Sequence, residues 1–298
     1  MRTRREFLAT AASLAAAGPL VGAQTQTPRV LPADGQREIR TPLNGPIGLQ
    51  LYSLRVQLRA DVPGTLLKVR GMGFREVEGA GLWGKTAPEL KALMDSSGLK
   101  CQSQHMGLDR LRDDLPGALA EARTLGATRV VCPWIAEKVT REDIMKAAEI
   151  FNRAGQGARA AGMRFGYHLH GYEFVPSSDG TLMDTLARNT DAALVEFQVD
   201  VFHTQHGGGD PAKVIAQYGK RVTSLHLKDM KKGTPIKAGQ PTGTPDLDVP
   251  LGTGAVDFPV VLRAARAAGP QLYYIEDESA DPLGHIPMSV AYLETITL

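Results

Sequence analysis

Short apolar runs alternate with longer amphipathic stretches along most of the chain. Eight such runs occur between residues 46 and 298, and glycine follows most of the amphipathic stretches. A short apolar run bounded by glycine is typical of a buried strand, and a longer amphipathic stretch is typical of a helix. The pattern predicts strands over residues 47–53, 75–78, 99–105, 129–132, 164–170, 195–201, 222–227 and 272–276.

The amphipathic stretches between these runs predict seven helices. They cover residues 63–70, 87–97, 115–125, 141–161, 182–189, 211–218 and 258–268. Strict alternation of strand and helix implies parallel strands, and eight repeats favour a closed α/β barrel, (β/α)₈, over an open doubly wound sheet. No G-x-G-x-x-G sequence follows a strand and opens a helix, which argues against a dinucleotide-binding sheet. We therefore expect one TIM-barrel domain over residues 46–298.

The N-terminal residues 1–23 have the character of an export signal. Arg4 and Arg5 precede an Ala-rich apolar run that ends at Val21, which is typical of a twin-arginine signal. A Gly-Pro pair interrupts the run, which is too short to span a bilayer. A Sec signal and an uncleaved anchor are the alternatives. We expect export to the periplasm by the twin-arginine machinery, no membrane span in the mature protein, and an N-terminal arm over residues 24–45.

The composition narrows the class of protein. The 34 Lys and Arg residues nearly balance 32 Asp and Glu residues, giving a net charge of +2, which argues against a nucleic-acid binder that neutralises phosphates. The chain has 43% hydrophobic and 22% charged residues, which is a composition typical of globular proteins. Two cysteines, Cys101 and Cys132, cannot form a disulfide framework or a four-thiolate zinc site. They are expected as buried thiols in neighbouring strands, with a disulfide as the alternative.

Histidine placement points to one end of the barrel. On these assignments every histidine falls in the C-terminal half of a strand or in the loop after it, and none falls in a helix. The active site of such a barrel lies at the C-terminal ends of its strands. The seven residues are His105, His168, His170, His203, His206, His226 and His285.

Alternation along the strands selects the side chains that face the barrel interior. Residues two apart share a face, so the polar Glu196, Gln198 and Asp200 lie opposite apolar neighbours that must meet the helices. The same argument on the other strands gives an inner rim of His168, His170, Asp200, His226, Lys228 and Glu276. Buried imidazoles and carboxylates that converge without partners are costly, and one divalent cation removes that cost. The nitrogen and oxygen donors suit Mn²⁺, Zn²⁺, Co²⁺ or Mg²⁺ without choosing among them. A metal-free hydrogen-bond network is the alternative.

Several motifs recur in a characteristic order. They are IGLQLYS at 47–53, YHLHGYEF at 167–174, DVFH at 200–203, LHLKD at 225–229, LGTG at 251–254 and IE at 275–276. In combination these motifs resemble the sugar phosphate isomerase/epimerase family, the xylose isomerase-like barrel group that also contains endonuclease IV. The resemblance covers roughly residues 46–296.

The resemblance implies a metal held by one group from each of strands five to eight. Asp200, His226 and Glu276 match three of these positions. At the strand-five position, where many relatives carry Glu, this chain has His168, with His170 as the alternative ligand. Family members that epimerise use two carboxylates as acid and base, and this chain keeps only Glu276 of that pair. His170 or Glu173 is therefore expected as the second acid or base.

The expected activity is that of a metal-dependent isomerase, epimerase or lyase acting on a small sugar or keto-sugar. Relatives with two histidines in strand five include sugar dehydratases and enzymes of 3-keto sugars. Glu276 or a histidine would remove the proton next to a carbonyl, and Lys228 or His203 would stabilise the enediolate oxygen. Expected substrate-binding residues are His105, His203, Trp83 and Trp134.

Some alternatives stay open at this point. Lys228 could instead form an ion pair with Asp229, and residues 230–254 could be a flap over the site or a disordered surface insertion. A carbohydrate-binding barrel without catalysis is a second function, and an endonuclease IV-like nuclease is a remote third. The sequence leaves a homo-oligomer open and indicates no nucleic-acid partner.

Overall fold

The computed structural model describes residues 37–240 and 242–298, so the predicted export signal and the first part of the predicted arm lie outside the described residues. Eight parallel strands form a closed barrel in chain order, with β1 hydrogen-bonded to both β2 and β8. This confirms the predicted (β/α)₈ barrel. The strands are β1 Ile47–Gln50, β2 Glu76–Ala80, β3 Lys100–His105, β4 Arg129–Cys132, β5 Arg164–His168, β6 Val195–Asp200, β7 Val222–Leu227 and β8 Leu272–Ile275.

A main helix follows each strand and covers the outside of the barrel. These helices are α1 Val62–Gly71, α2 Ala87–Ser96, α3 Leu115–Leu125, α4 Arg141–Ala160, α5 Leu182–Asn189, α6 Pro211–Tyr218, α7 Phe258–Ala268 and α8 Pro282–Thr295. The seven predicted helices agree with α1–α7 to within one residue at each end. The pattern missed α8 because Gly284 and Pro287 normally mark a break in a helix.

Three strands are shorter than the apolar pattern predicts, because a side chain binds the backbone N–H groups that follow each strand. Gln50 Oε1 accepts a hydrogen bond from Tyr52 N at 3.0 Å, and the 3₁₀ helix Leu51–Leu54 begins there. Asp200 Oδ1 accepts from His203 N at 2.7 Å and begins the short helix Val201–His206. The predicted strands over 47–53 and 195–201 were therefore too long, because these side chains replace the next strand hydrogen bonds.

The third early ending is at β5. Both carboxylate oxygens of Glu173 accept from His170 N, at 3.0 and 3.1 Å, so the strand ends at His168 and not at residue 170. The expectation that no histidine lies in a helix was wrong for three residues. His203 and His206 lie in the short helix after β6, and His285 lies in α8.

The lower end of the barrel is closed by a buried ion pair. Arg129 Nε donates to Glu196 Oε2 at 2.8 Å, and Thr223 Oγ1 donates to the same oxygen at 2.6 Å. All three residues are buried inside β4, β6 and β7. The buried carboxylate of Glu196 thus has its charge balanced by Arg129.

Asp229 holds both ends of the segment that connects β7 to α7. Its carboxylate accepts hydrogen bonds from four backbone N–H groups at 2.8–3.1 Å, those of Met230, Gly252, Gly254 and Val256. The strand pair Asp229–Met230 and Asp248–Val249 forms the base of the segment. These contacts hold both ends of the segment, and the interpretation of residues 230–254 as a flap over the site stays a prediction.

Both cysteines are free and buried, as expected for thiols in neighbouring strands. Burial raises the pKa of Cys101 and of Cys132 to about 12, so neither forms a thiolate near neutral pH. Across residues 37–240 and 242–298, no helix has both the length and the apolar character that crossing a bilayer requires.

Candidate metal centre

Four predicted ligands meet at the C-terminal ends of four adjacent strands. His168 ends β5, Asp200 ends β6, His226 lies in β7 and Glu276 follows β8. Each offers one ligand atom, these atoms lie within 4.8 Å of one another, and all four residues are buried. This set includes His168 and not His170, so the geometry favours the first of the two strand-five candidates.

His226 lies at the centre of the group. Its Nδ1 is 2.8 Å from Glu276 Oε2 and 4.0 Å from Asp200 Oδ2. Its Nε2 is 2.6 Å from Glu78 Oε2, on the opposite side of the ring. The strand register accounts for this arrangement, because His226 is directly opposite Asp200 of β6 and Tyr274 of β8.

A second polar layer lies below the four ligands. Glu78 of β2 accepts hydrogen bonds from Gln50 Nε2 at 2.8 Å and Gln198 Nε2 at 2.9 Å, and lies 3.0 Å from His105 Nε2. Glu78, Gln50 and Gln198 were not among the predicted site residues. Gln198 was already on the predicted inner face of its strand, and the alternation of Glu76 and Glu78 would have put Glu78 inside the barrel by the same argument.

Two further histidines form the upper wall of the group. The rings of His170 and His203 are stacked with centroids 4.7 Å apart, and with His168 they make a second set of ligand atoms within 4.8 Å. Trp134 places its ring edge-on against His170 at 4.8 Å. The structure therefore brings Trp134, His170 and His203 together, and places His105 in the layer below.

Lys228 is buried among carboxylates at the same level. Its Nζ is 2.5 Å from Glu278 Oε1 and 3.6 Å from Asp248 Oδ2, and it lies over the ring of Phe202 at 5.1 Å. The ion-pair partners are thus Glu278 and Asp248, and Asp229 is occupied by backbone N–H groups. Asp248 belongs to the segment after β7, so Lys228 links that segment to the centre.

Two predicted residues, Glu173 and Trp83, are not among the clustered ligand atoms. Glu173 accepts from Tyr167 Oη at 2.5 Å and from His170 N, and Tyr167 packs against Phe151 of α4 on the helix side of the barrel. This placement gives Glu173 a role in holding the loop and does not support proton transfer to a substrate. Trp83, in the loop after β2, has a left-handed backbone with φ of 53°, and its buried Nε1 has no hydrogen-bond partner within the described residues.

Burial and neighbouring charges divide the histidines into two groups. Burial lowers the pKa of His170 to about 3 and also lowers the pKa values of His168 and His203, so these rings are neutral near pH 7. Burial also opposes the charge on His226, but Glu276 and Glu78 outweigh it and raise the pKa of His226 to about 10.

The pKa values of Glu276 and Asp200 shift in different directions, and that of Lys228 is raised. Burial raises the pKa of Glu276, but the charge and hydrogen bond of His226 outweigh it and lower the net value below the usual range. Burial raises the pKa of Asp200 above its usual value, although Lys228 opposes this effect. Burial disfavours charge on Lys228, yet Glu278 and Asp248 raise its pKa well above normal.

The donor set fits a divalent cation. Asp200 Oδ2, His170 Nδ1 and His203 Nδ1 are buried and have no hydrogen-bond partner. Unpaired buried polar atoms of this kind are costly and call for a bound group. Two imidazoles and two carboxylates offer nitrogen and oxygen donors with a charge that a divalent cation balances, as in many zinc and manganese sites.

Comparison with known proteins agrees with this architecture. A family model described as a xylose isomerase-like TIM barrel matches residues 66–296. A solved sugar phosphate isomerase/epimerase from Parabacteroides distasonis ATCC 8503 superposes with a TM-score of 0.70 at 24% identity, over 84% of this chain and 96% of that one. The IolI protein, solved with a zinc atom, superposes with a TM-score of 0.62 at 16% identity over 84% of this chain and 96% of that one. These structures establish the shared fold.

Curated relatives share part of the sequence. An inosose dehydratase from Geobacillus kaustophilus (strain HTA426) is 24% identical over 204 residues, which is 57% of this chain and 66% of that enzyme. The inosose dehydratase of Clostridium perfringens (strain 13 / Type A) is 28% identical over 51% of this chain and 53% of that enzyme. The chain thus spans one half to two thirds of the length of these two relatives.

Proposed function

Because the chain belongs to the xylose isomerase-like TIM barrel family, we propose that it is a divalent-metal-dependent enzyme that acts on a keto-sugar or a cyclic polyol ketone. The reaction begins with removal of the proton next to the carbonyl. Return of the proton elsewhere gives isomerisation or epimerisation, and loss of a hydroxyl group from the next carbon gives dehydration. The observation that carries this proposal is the buried group of His168, Asp200, His226 and Glu276, each with a ligand atom directed inward.

We infer that these four residues hold one divalent ion. When bound, such an ion supplies Lewis acidity that polarises a substrate carbonyl and a neighbouring hydroxyl. Zn²⁺, Mn²⁺, Co²⁺ and Mg²⁺ all match the donor types, and the two imidazoles favour the first three over Mg²⁺.

The residues around this group have distinct expected roles. Glu276 is ionised at neutral pH, because His226 lowers its pKa, and is the proposed base. His170 and His203 are neutral, with unpartnered Nδ1 atoms that suit hydrogen bonds to substrate hydroxyl groups. Lys228 carries a fixed positive charge and would stabilise negative charge that develops on the substrate oxygen. Trp134 beside His170 offers an apolar face to a sugar ring.

The charges around the group favour a substrate without phosphate. Lys228 is already paired with two carboxylates, Glu278 and Asp248. Glu276, Asp200 and Glu78 add further negative charge. Even with one divalent ion bound, these five carboxylates outweigh the positive charges, so a neutral keto-sugar or cyclic ketone suits the site better than an anionic phosphate. The two inosose dehydratases named above act, by their names, on such a ketone, which favours dehydration as the second step.

Metal content and proton exchange together test the proposal. We expect about one divalent ion per chain in the purified protein, lost in Asp200→Ala and kept in Asp109→Ala, whose carboxylate is exposed in an i,i+3 ion pair. In D₂O, the loaded protein should place deuterium next to the carbonyl of at least one member of a keto-sugar panel, and dehydration would add a new absorbance of an unsaturated ketone.

Other results would redirect the assignment. Saturable sugar binding without deuterium uptake would favour a carbohydrate-binding barrel. Two or three zinc ions per chain with cleavage of abasic DNA would favour a nuclease. An Asp200→Ala variant that retained turnover without metal would contradict the proposed centre.

We also propose that the protein acts after export to the periplasm. The support is the Arg4-Arg5 pair and the apolar run up to Val21. The twin-arginine route carries folded proteins, so a metal bound in the cytoplasm would travel with the barrel. A homo-oligomer stays a prediction that gel filtration of the mature protein can check.

A further inference from the structure

Glu78 is the most highly coordinated carboxylate beneath the candidate centre. It is fully buried in β2 and meets donors from four other strands: Gln50 of β1, His105 of β3, Gln198 of β6 and His226 of β7. An ionised carboxylate only accepts hydrogen bonds. Every group that touches Glu78 must therefore present an N–H to it.

This requirement fixes the orientation of His226. Its Nε2, 2.6 Å from Glu78 Oε2, must carry a hydrogen and donate it. Nδ1 also faces a carboxylate, so the ring is protonated at both nitrogens, and a cation bound there would replace the Nδ1 proton while Nε2 keeps the hydrogen that it donates to Glu78. Nδ1 is the atom that faces Glu276 Oε2 at 2.8 Å and Asp200 Oδ2 at 4.0 Å. Glu78 thus selects the nitrogen by which His226 can bind a cation.

The same requirement reaches His168 through an amide. Gln198 must donate its NH₂ group to Glu78 Oε1 at 2.9 Å, so its carbonyl oxygen Oε1 points the other way. That oxygen lies 2.9 Å from His168 Nδ1, which must therefore carry the hydrogen. His168 is left with Nε2 as its free nitrogen. Reversing the Gln198 amide would put its carbonyl oxygen against the carboxylate of Glu78, where two acceptors would face each other.

We propose that Glu78 is a positioning residue that sets the tautomers of both histidine ligands, so that His226 binds the metal by Nδ1 and His168 binds it by Nε2. The inference rests on the proposed metal function and adds to it a defined coordination mode. Groups that hold a ligand histidine by its second nitrogen commonly change metal affinity by about 10–100-fold when they are removed.

Replacement of Glu78 by Gln gives a direct test. The amide of Glu78→Gln has the same shape, but it adds N–H donors to a site where all neighbours already donate. We expect zinc and cobalt dissociation constants, measured by competition with a chromophoric chelator, to rise by about 10–100-fold. Glu76→Gln is the matched control, since Glu76 lies two residues earlier in the same strand and makes no contact with His226. It should change the constants by less than about threefold.

A second measurement covers the case in which Glu78→Gln does not fold. Wild-type protein with ¹⁵N-labelled histidine is loaded with ¹¹³Cd²⁺, and the cadmium–nitrogen coupling identifies the bound atom in each ring. The proposal requires coupling to Nδ1 of one ring and to Nε2 of another, with the first assigned to His226 by its loss in His226→Gln.

The outcomes separate this inference from the proposed function. Cadmium bound through Nε2 of His226, or an unchanged affinity in folded Glu78→Gln, would overturn the positioning role while leaving the metal site in place. A wild type that binds none of zinc, cobalt or cadmium would overturn both.

Discussion

The charge states of the buried histidines depend on their surroundings in the folded barrel and not on the residues next to them in the sequence. His170 and His203 are neutral because they are desolvated, whereas His226, at the same depth, is stabilised as a cation by Glu276 and Glu78. Neutral rings can accept hydrogen bonds from hydroxyl groups, and a cationic ring cannot. A neutral ring also has a free nitrogen for a metal ion, whereas His226 must lose a proton before it can bind one.

Glu173 should make the protein less stable as pH rises through the weakly acidic range. Burial raises its pKa from 4.5 to about 7. Between these values the native state holds a proton that the unfolded chain has lost, so stability falls with rising pH, by at most about 3 kcal/mol. Glu173→Gln should remove this part of the slope. Urea unfolding of the wild type and of Glu173→Gln at pH 5 and pH 8 measures how much free energy of unfolding each protein loses between the two pH values. An equal loss in both proteins would contradict the prediction.

Lys228 offers a test that separates catalysis from metal binding. Lys228→Gln removes a positive charge that lies near Glu276 and Asp200. We expect metal affinity to stay equal or increase, and turnover to fall by about 100-fold, because the developing negative charge loses its partner. Lys231→Gln, an exposed neighbour, is the control. A loss of metal with unchanged turnover of the loaded enzyme would rule out this role.

At the scale of elements, the segment after β7 depends on close backbone contacts. Gly171 follows β5, and Gly207 follows the short helix after β6. Their backbones lie against each other, and Gly171 also lies against the carbonyl of Gln240. Gly239 N also donates to Gly207 O at 3.3 Å. Only glycine leaves room for these contacts, which hold the segment beside His170 and Phe202.

Gly207→Ala should loosen this segment without unfolding the barrel. Its φ of −75° suits alanine, but a Cβ there would overlap the backbone of Gly171. We expect faster amide hydrogen exchange across residues 231–247 and weaker substrate binding. Gly107→Ala, where a Cβ meets nothing within 4 Å, is the control. Equal exchange in both variants would mean that the glycine contact does not hold the segment.

The strands and helices follow from the apolar periodicity, but their ends do not. Period-two alternation identifies Gln198, Asp200, His226 and Glu276 as interior groups because the opposite face must meet the helices. The early ends of β1, β5 and β6 depend on Gln50, Glu173 and Asp200, whose side chains compete with the strand for backbone N–H groups. The apolar pattern does not show where a side chain will take a backbone N–H group from the strand.

For the whole molecule, closure of the barrel creates contacts that no local pattern contains. Glu78 and His226 are separated by 148 positions along the chain, yet their side chains are 2.6 Å apart. The family resemblance assigned one metal ligand to each of strands five to eight and matched three of them, Asp200, His226 and Glu276. It gave no indication of Glu78, which belongs to the other side of the barrel.

Export of the whole protein is a prediction with a simple test. Replacing Arg4 and Arg5 together by lysine should leave the precursor in the cytoplasm, because twin-arginine transport depends on that pair. Cell fractionation and immunoblotting measure the outcome, with Arg2→Lys as the control. Periplasmic protein from the double variant would favour a Sec route.

The four hydrogen bonds to Asp229 have a consequence for how this barrel could change its specificity. They fix the two ends of the segment after β7 to the end of a barrel strand, whatever lies between them. Closing a longer loop costs little additional entropy once its ends are held. The residues between the two ends can therefore be replaced or lengthened at a small cost in stability. New sequences over residues 231–247 would then reshape the substrate pocket while the ligand residues and Asp248 stay in place, so laboratory evolution of this chain is best directed there.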